Sequence, residues 1–146
     1  MLVCALLASS PAWAEPKALE CNIALVSVLQ GSARRAPITH SAQVSRIYVI
    51  DDDAKTVGLY DKNTGNIRLD YCEGCTVNYG PKKIVNSRTE VSDGWFRRRE
   101  QSFDRLTGAY SNVSKDQKIE SGFNHEVAET GTCKLAEMPT AGKAQF

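Results

Sequence analysis

The stretch FDRLTGAY, residues 103–110, decides the fold because it describes a turn between two strands and has a second copy in the chain. Residues 60–67, YDKNTGNI, repeat its order of aromatic residue, Asp, basic residue, Thr and Gly 43 positions earlier. In each copy the Gly falls where a short hairpin loop needs a positive φ, and the Asp can accept hydrogen bonds from the backbone two residues on. A catalytic group has no reason to recur in this way. The repeat therefore predicts two equivalent hairpins, with Gly65 and Gly108 at positive φ.

A calcium loop is the sharper alternative for the copy that begins at Asp61. Such a loop needs a Glu at its twelfth position, and the twelfth position here is Cys72. The calcium interpretation is therefore excluded.

The rest of the chain continues the same pattern of strands and turns. Short runs of β-branched and aromatic residues alternate with polar ones and are separated by Gly, Asn and Asp. The predicted strands cover 44–50, 56–61, 66–71, 75–80, 83–91, 95–105 and 108–114, with weaker candidates at 122–129 and 132–137. The pattern predicts an all-β domain, a small antiparallel barrel or sandwich of about seven to nine short strands. Residues 16–30 favour a strand, with a short N-terminal helix as the open alternative.

The N-terminal end of the chain suggests export. Residues 2–8 are apolar and Ala12-Trp13-Ala14 is an A-x-A cleavage site, although no basic residue follows Met1. We expect a signal peptide over 1–14, a single β domain over 15–137 and a flexible tail over 138–146. No later segment approaches the roughly 20 apolar residues that span a bilayer. We therefore expect a periplasmic or secreted protein with no membrane span after cleavage.

Cleavage would leave four cysteines, Cys21, Cys72, Cys75 and Cys133, and an even number in an exported chain predicts two disulfides. The motif Cys72-Glu73-Gly74-Cys75 has three possible interpretations: a small structural disulfide ring, a redox-active pair or a zinc knuckle. The redox pair needs a helix that starts at its first cysteine, and the zinc site needs a second close pair, which the chain lacks. We therefore predict the bridges Cys72–Cys75 and Cys21–Cys133, no metal and no cofactor.

Residues 95–105 are the least ordinary part of the sequence, because neither face of this strand is apolar through its middle. Alternation places Trp95, Arg97, Arg99, Gln101, Phe103 and Arg105 on one face. One explanation is a charged edge strand in solvent, which discourages aggregation. The other is a groove for an anionic or aromatic ligand, lined by Trp95, Arg97, Arg99 and Phe103.

The turn Ser92-Asp93-Gly94 sets the expected register beside this strand. It predicts Val91 opposite Trp95, with Glu90 diagonal to Arg98. At least one arginine would then have an acidic neighbour.

Composition narrows the function classes. The formal net charge is only +1, which argues against nucleic acid as a partner. No common catalytic motif is present. We therefore expect that the chain has no catalytic residues and that the protein is not an enzyme. The favoured function is a binding module for a small anionic ligand or an envelope protein. The alternative is a disulfide oxidoreductase or a hydrolytic enzyme that uses Cys72 and Cys75 or His125.

Three short motifs carry a resemblance. The A-x-A signal, the sequence Asp-Arg-Leu-Thr-Gly at 104–108 and Gly131-Thr132-Cys133 resemble small, uncharacterised secreted proteins of Gram-negative bacteria. The resemblance implies export and no particular activity.

Overall fold

The nine strands of the described residues belong to one antiparallel sheet, which curls into a half-barrel. The computed structural model describes residues 15–31 and 36–140. The strands are β1 Lys17–Gln30, β2 Ile38–Asp51, β3 Thr56–Asp61, β4 Asn66–Arg68, β5 Thr76–Tyr79, β6 Lys83–Ser92, β7 Trp95–Asp104, β8 Ala109–Lys118 and β9 Phe123–Ala136. A single 3-10 turn, Asp70–Cys72, lies between β4 and β5. The predicted signal peptide and residues 141–146 of the predicted tail lie outside the described residues.

The all-β prediction is confirmed, but three strands are much longer than expected. β1, β2 and β9 each have 14 residues. The helix left open for residues 16–30 is wrong, since residues 17–30 form β1. The two weak candidates at 122–129 and 132–137 are one continuous strand, β9.

The continuity of β9 depends on Gly131, where the sequence suggested a break. A Cβ at this position would lie 2.2 Å from the backbone oxygen of Asn22 on β1. Glycine therefore lets two long backbones approach closely in the middle of the sheet instead of ending a strand.

The strand order is β4-β3-β2-β1-β9-β8-β7-β6-β5. Strands β4 and β5 follow each other in the chain but lie at opposite edges of the sheet, so residues 69–75 cross the open side of the half-barrel. β7 pairs with β6 on one side and β8 on the other. The explanation of residues 95–105 as an edge strand is therefore wrong.

The repeated turn forms two equivalent hairpins, as predicted. Gly65 and Gly108 have φ values of 71° and 73°. Each donates its backbone N–H to the carbonyl of the loop's first Asp, at 2.8 Å for Asp61 and 2.9 Å for Asp104. The carboxylates of both aspartates accept backbone N–H groups within their own loops.

The β6–β7 turn differs by one residue from the expected register. Asp93 and Gly94 both have positive φ, 50° and 75°, and form a two-residue turn. Ser92 therefore lies opposite Trp95, and Glu90 lies directly opposite Arg97.

The core occupies one end of the concave face. Among the described residues, ten largely apolar side chains are buried. Those that pack together in the core include Ile23, Tyr48, Ile50, Ile84, Phe103 and Tyr110. Cys21 is fully buried among them and lies directly opposite Cys133 on β9, to which it is disulfide-bonded. The second bridge joins Cys72 and Cys75, so both predicted pairings are confirmed.

The residues around FDRLTGAY are structural. Arg105 donates two hydrogen bonds to the Asp52 carboxylate, at 2.7 and 2.9 Å, and Tyr79 donates a third at 2.7 Å. These bonds tie edge strand β5 and the β7–β8 loop to the β2–β3 loop. The hydrogen bond from Tyr79, opposed by some burial and helped by Arg105, lowers the pKa of Asp52.

Two disulfides are typical of proteins that fold in an oxidising compartment outside the cytoplasm. Among the described residues, no helix has the length and apolar character that crossing a membrane requires.

Candidate functional site

A buried polar network covers the apolar core on the concave face, and Gln101 is its centre. The Gln101 carbonyl accepts hydrogen bonds from Tyr71 at 2.7 Å and Asn86 at 3.0 Å. Its amide nitrogen lies 3.3 Å from the Tyr48 hydroxyl and 3.2 Å from the Tyr110 hydroxyl. One side chain thus joins β7 to β2, β6, β8 and the 3-10 turn, and it lies in the wall of the cavity described below.

Arg46 and Glu129 form a two-point ion pair beside this network. Both guanidinium nitrogens lie 2.8 Å from a carboxylate oxygen. Tyr110 and Asn112 donate to the same carboxylate at 2.8 and 2.9 Å. Burial opposes the ionisation of Glu129, but these donors outweigh it and hold its pKa below the ordinary value. Burial likewise opposes the charge of Arg46, and its hydrogen bonds to Glu129 and Tyr48 raise its pKa nonetheless.

A central cavity of about 230 Å³ lies above the network. Its walls include three arginines, Arg46, Arg68 and Arg99, and a single acidic residue, Glu129. Asn112 also lies in the wall, and its side-chain carbonyl oxygen is a buried acceptor with no hydrogen-bond partner in the part of the chain that the structure describes. Since Glu129 is committed to Arg46, the remaining positive charge makes the cavity suited to an anion.

A second cavity, the loop cavity, has a volume of about 340 Å³ and shares Tyr71 and Arg99 with the first. Its charged wall residues are Arg88, Arg97, Arg98, Arg99, Asp70, Glu73 and Asp116. The two cavities together form a polar groove, whose walls come from β2, β3, β4, β6, β7, β8 and β9 and from residues 70–73.

The arginines of this groove differ in how they are paired. Glu90 lies within hydrogen-bond distance of Arg88 and 3.6 Å from Arg97. Arg99 donates one hydrogen bond, of 3.2 Å, to the backbone carbonyl of Tyr71. Within the described part of the chain, no carboxylate lies within 4.0 Å of the Arg99 guanidinium. Arg99 is therefore the arginine of the groove best able to bind an external anion.

The structure brings together only some of the residues expected to bind a ligand. Arg97 and Arg99 both line the loop cavity. Trp95 lies at the far end of β7, where its ring packs against Phe123 at 5.7 Å and Arg97 at 5.4 Å between centres. Phe103 is 2% exposed and packs in the core against Tyr48. Phe103 lies eight residues along β7 from Trp95, about 27 Å in an extended strand, so the two rings cannot form walls of one small site.

The Cys72–Cys75 loop forms one wall of the groove. Arg88 donates a 2.7 Å hydrogen bond to the carbonyl of Glu73, and Arg99 donates to the carbonyl of Tyr71. The two arginines thus hold the backbone on both sides of Cys72. The short 3-10 turn ends at Cys72, whereas a thioredoxin-like redox pair needs a helix that begins there.

Sequence reasoning did not find that a serine and a histidine, two residue types used in catalysis, lie side by side. Ser27 Oγ and His125 Nε2 lie 2.9 Å apart on neighbouring strands β1 and β9. Ser27 is the hydrogen-bond partner of His125 in the described residues, and Asp116 lies opposite His125 on β8. The serine and histidine are 98 positions apart in the chain, so no local signal could pair them.

Comparison with known proteins does not extend this description. No protein-family model, no curated protein and no solved structure matches the chain. Across residues 15–31 and 36–140, no group of three or more His, Cys, Asp and Glu side chains is arranged to hold a metal ion.

Proposed function

We propose that this protein is an exported, periplasmic or secreted binding module that holds a small anionic ligand in the groove of its half-barrel. The observation that carries the proposal is Arg99, a guanidinium that has no acidic partner among the described residues and lies in the walls of both cavities. The resemblance of the chain's short motifs to small secreted proteins of Gram-negative bacteria agrees with export and implies no particular activity.

The charges around Arg99 support an anion in the central cavity. Arg46 and Glu129 neutralise each other, and Arg68 pairs with Asp70 at 3.4 Å where both side chains are more than half exposed. A carboxylate or phosphate beside Arg99 would therefore find an unpaired planar donor. The volume of about 230 Å³ limits the ligand to a small molecule.

Thermal unfolding in the presence of small anions tests the proposal. Sodium phosphate, acetate and benzoate are each compared with sodium chloride at equal ionic strength. A ligand that binds the folded state raises the unfolding temperature in proportion to ln(1 + [L]/Kd). We expect at least one of the three anions to stabilise the wild-type protein, and Arg99→Gln to lose this response.

Lys134→Gln is the control for the loss of one positive charge. Lys134 lies on β9 outside both cavities, its side chain is 71% exposed, and its Nζ lies 3.6 Å from the Glu20 carboxylate. This variant should respond like the wild type. Stabilisation that is equal in wild type and Arg99→Gln, or no response to any of the three anions, contradicts the proposal.

One observation favours a second candidate, a hydrolytic enzyme. The Ser27–His125 hydrogen bond has the geometry of a nucleophile beside a general base. Hydrolysis of p-nitrophenyl acetate by the wild type, and its loss in both Ser27→Ala and His125→Gln, would support that function. A rate that is unchanged in Ser27→Ala excludes it.

A further inference from the structure

We propose that the Cys72–Cys75 disulfide exchanges with small anionic thiols that enter the loop cavity, with Cys72 as the sulfur that is attacked. The inference rests on the proposed function, because the same arginines would attract the carboxylate of the thiol. It adds a substrate class and a covalent step that simple binding does not include.

The two disulfides of the protein lie in different surroundings. Cys21 is fully buried and its bridge joins neighbouring strands in the middle of the sheet. Cys72 and Cys75 are both partly exposed, and they lie outside the strand ladders, in the segment that crosses the open side of the half-barrel. Because Cys72 lies in the wall of the loop cavity, a small thiol in that cavity can reach it.

Positive charge flanks Cys72 on both sides. Arg99 donates to the carbonyl of Tyr71, immediately before it, at 3.2 Å, and Arg88 donates to the carbonyl of Glu73, immediately after it, at 2.7 Å. Arg88 also packs against Gly74, since a Cβ there would lie 3.4 Å from its Nε. Nearby guanidinium groups stabilise thiolates, both the attacking one and the one that leaves.

Acidic residues near the loop cavity determine which of its arginines can attract an anionic thiol. Asp70 pairs with Arg68, and Glu90 contacts Arg88 and Arg97. Glu73 and Asp116 also line the cavity and oppose the entry of an anion. The attraction for an anionic thiol therefore centres on Arg99.

The proposed exchange is balanced in atoms and electrons. The thiolate of the small molecule attacks the Sγ of Cys72, a mixed disulfide forms, and the electron pair of the broken bond leaves on Cys75 as a thiolate. A second thiolate then attacks the small molecule's sulfur in the mixed disulfide and releases Cys72 as a thiolate. The sum is the two-electron reduction of the protein disulfide by two thiols.

The loop has supports besides the disulfide, so the reaction can be reversible. The N–H of Cys75 donates to the carbonyl of Cys72 at 3.0 Å. Tyr71 is anchored in the polar network through Gln101 and Asn86. The two thiols should therefore stay close after reduction.

The test compares the rate of reduction by mercaptoacetate, which is anionic, with that by 2-mercaptoethanol, which is neutral. Rates are taken per thiolate at equal ionic strength, and alkylation with mass spectrometry assigns the reacting cysteines. We expect Cys72–Cys75 to open about tenfold faster with mercaptoacetate, in line with electrostatic enrichment of a substrate in a charged cleft. The mixed disulfide should be found on Cys72, while Cys21–Cys133 stays oxidised as an internal reference.

Arginine variants separate electrostatic attraction from simple exposure. Arg99→Gln should remove the preference for mercaptoacetate, whereas Arg99→Lys and the control Lys134→Gln, which lies outside both cavities, should keep it. Equal rates with the two thiols, a preference that survives in Arg99→Gln, or a mixed disulfide on Cys75 would overturn the inference.

Anion binding is measured separately in Cys72→Ser/Cys75→Ser, with the phosphate, acetate and benzoate probes used above. If this variant and the wild type bind an anion but the wild type shows no preference for mercaptoacetate, the exchange is wrong and the binding function stands. If neither anion binding nor the preference is found, both proposals fail.

Discussion

Arg46 on β2 and Glu129 on β9 meet across the strand that separates them, β1, through two contacts of 2.8 Å. The Glu129 side chain is only 3% exposed, whereas that of Arg46 is 31% exposed. The pair therefore ties β2 directly to β9 over the strand between them.

Glu129→Gln should destabilise the protein by about 2–3 kcal/mol. Removal of one partner of a buried ion pair costs about 3–5 kcal/mol, and the partial exposure of Arg46 reduces this figure. Urea unfolding measures the change. Glu126→Gln is the control, because Glu126 is on the same strand but about half exposed, and it should cost less than about 1 kcal/mol.

The same carboxylate predicts a dependence of stability on pH. The pKa of Glu129 is lowered in the folded state, so its contribution is fully present above the unfolded pKa of about 4.3 and is lost as the pH falls through the folded value. The difference in stability between wild type and Glu129→Gln should therefore shrink as the pH is lowered from about 5. A difference that is constant from pH 7 to about pH 3 would contradict the ionised pair.

Gly108→Ala should cost more than Gly94→Ala, although both glycines have φ near 75°. A Cβ at Gly108 would lie 2.4 Å from the carbonyl oxygen of Cys133, whereas Gly94 has open space around it. We expect about 1–2 kcal/mol at Gly94 from the left-handed backbone alone, and at least 1 kcal/mol more at Gly108, where β9 must move. Equal losses in thermal unfolding would show that the contact is relieved without strain.

Removal of the two disulfides should have unequal effects. The entropic model gives about 5 kcal/mol for a loop as long as that closed by Cys21–Cys133 and about 2 kcal/mol for one as short as that closed by Cys72–Cys75. The bridges have sequence separations of 112 and 3. Guanidinium unfolding of the two double alanine variants should reproduce this order, and the reverse order would contradict it.

Gln101→Leu should destabilise the protein by about 2–4 kcal/mol, because the partly buried Tyr71 hydroxyl loses its acceptor and three buried groups each lose one hydrogen bond. The groups that lose a hydrogen bond are on Tyr48, Tyr71, Asn86 and Tyr110. Gln43→Leu is the control at an exposed strand position and should change stability by less than about 0.5 kcal/mol. A small effect at Gln101 would show that water replaces these bonds.

The sequence determined the features that depend on neighbouring residues. The Asp and Gly of the repeated turn predicted positive φ at Gly65 and Gly108, since only local backbone geometry is involved. Alternation correctly placed Arg97 and Arg99 on the same face of their strand. Cysteine number and spacing led to both disulfides, because a close pair leaves the other two cysteines to each other.

The tertiary structure alone decided which strands became neighbours. Arg46 reaches Glu129 and Ser27 reaches His125 because β1 lies between β2 and β9, and a sheet order that joins distant segments leaves no local trace. The same order made β7 an internal strand instead of an edge. The polar middle of β7 then faces the groove, because apolar side chains fill only one end of the concave side of the half-barrel.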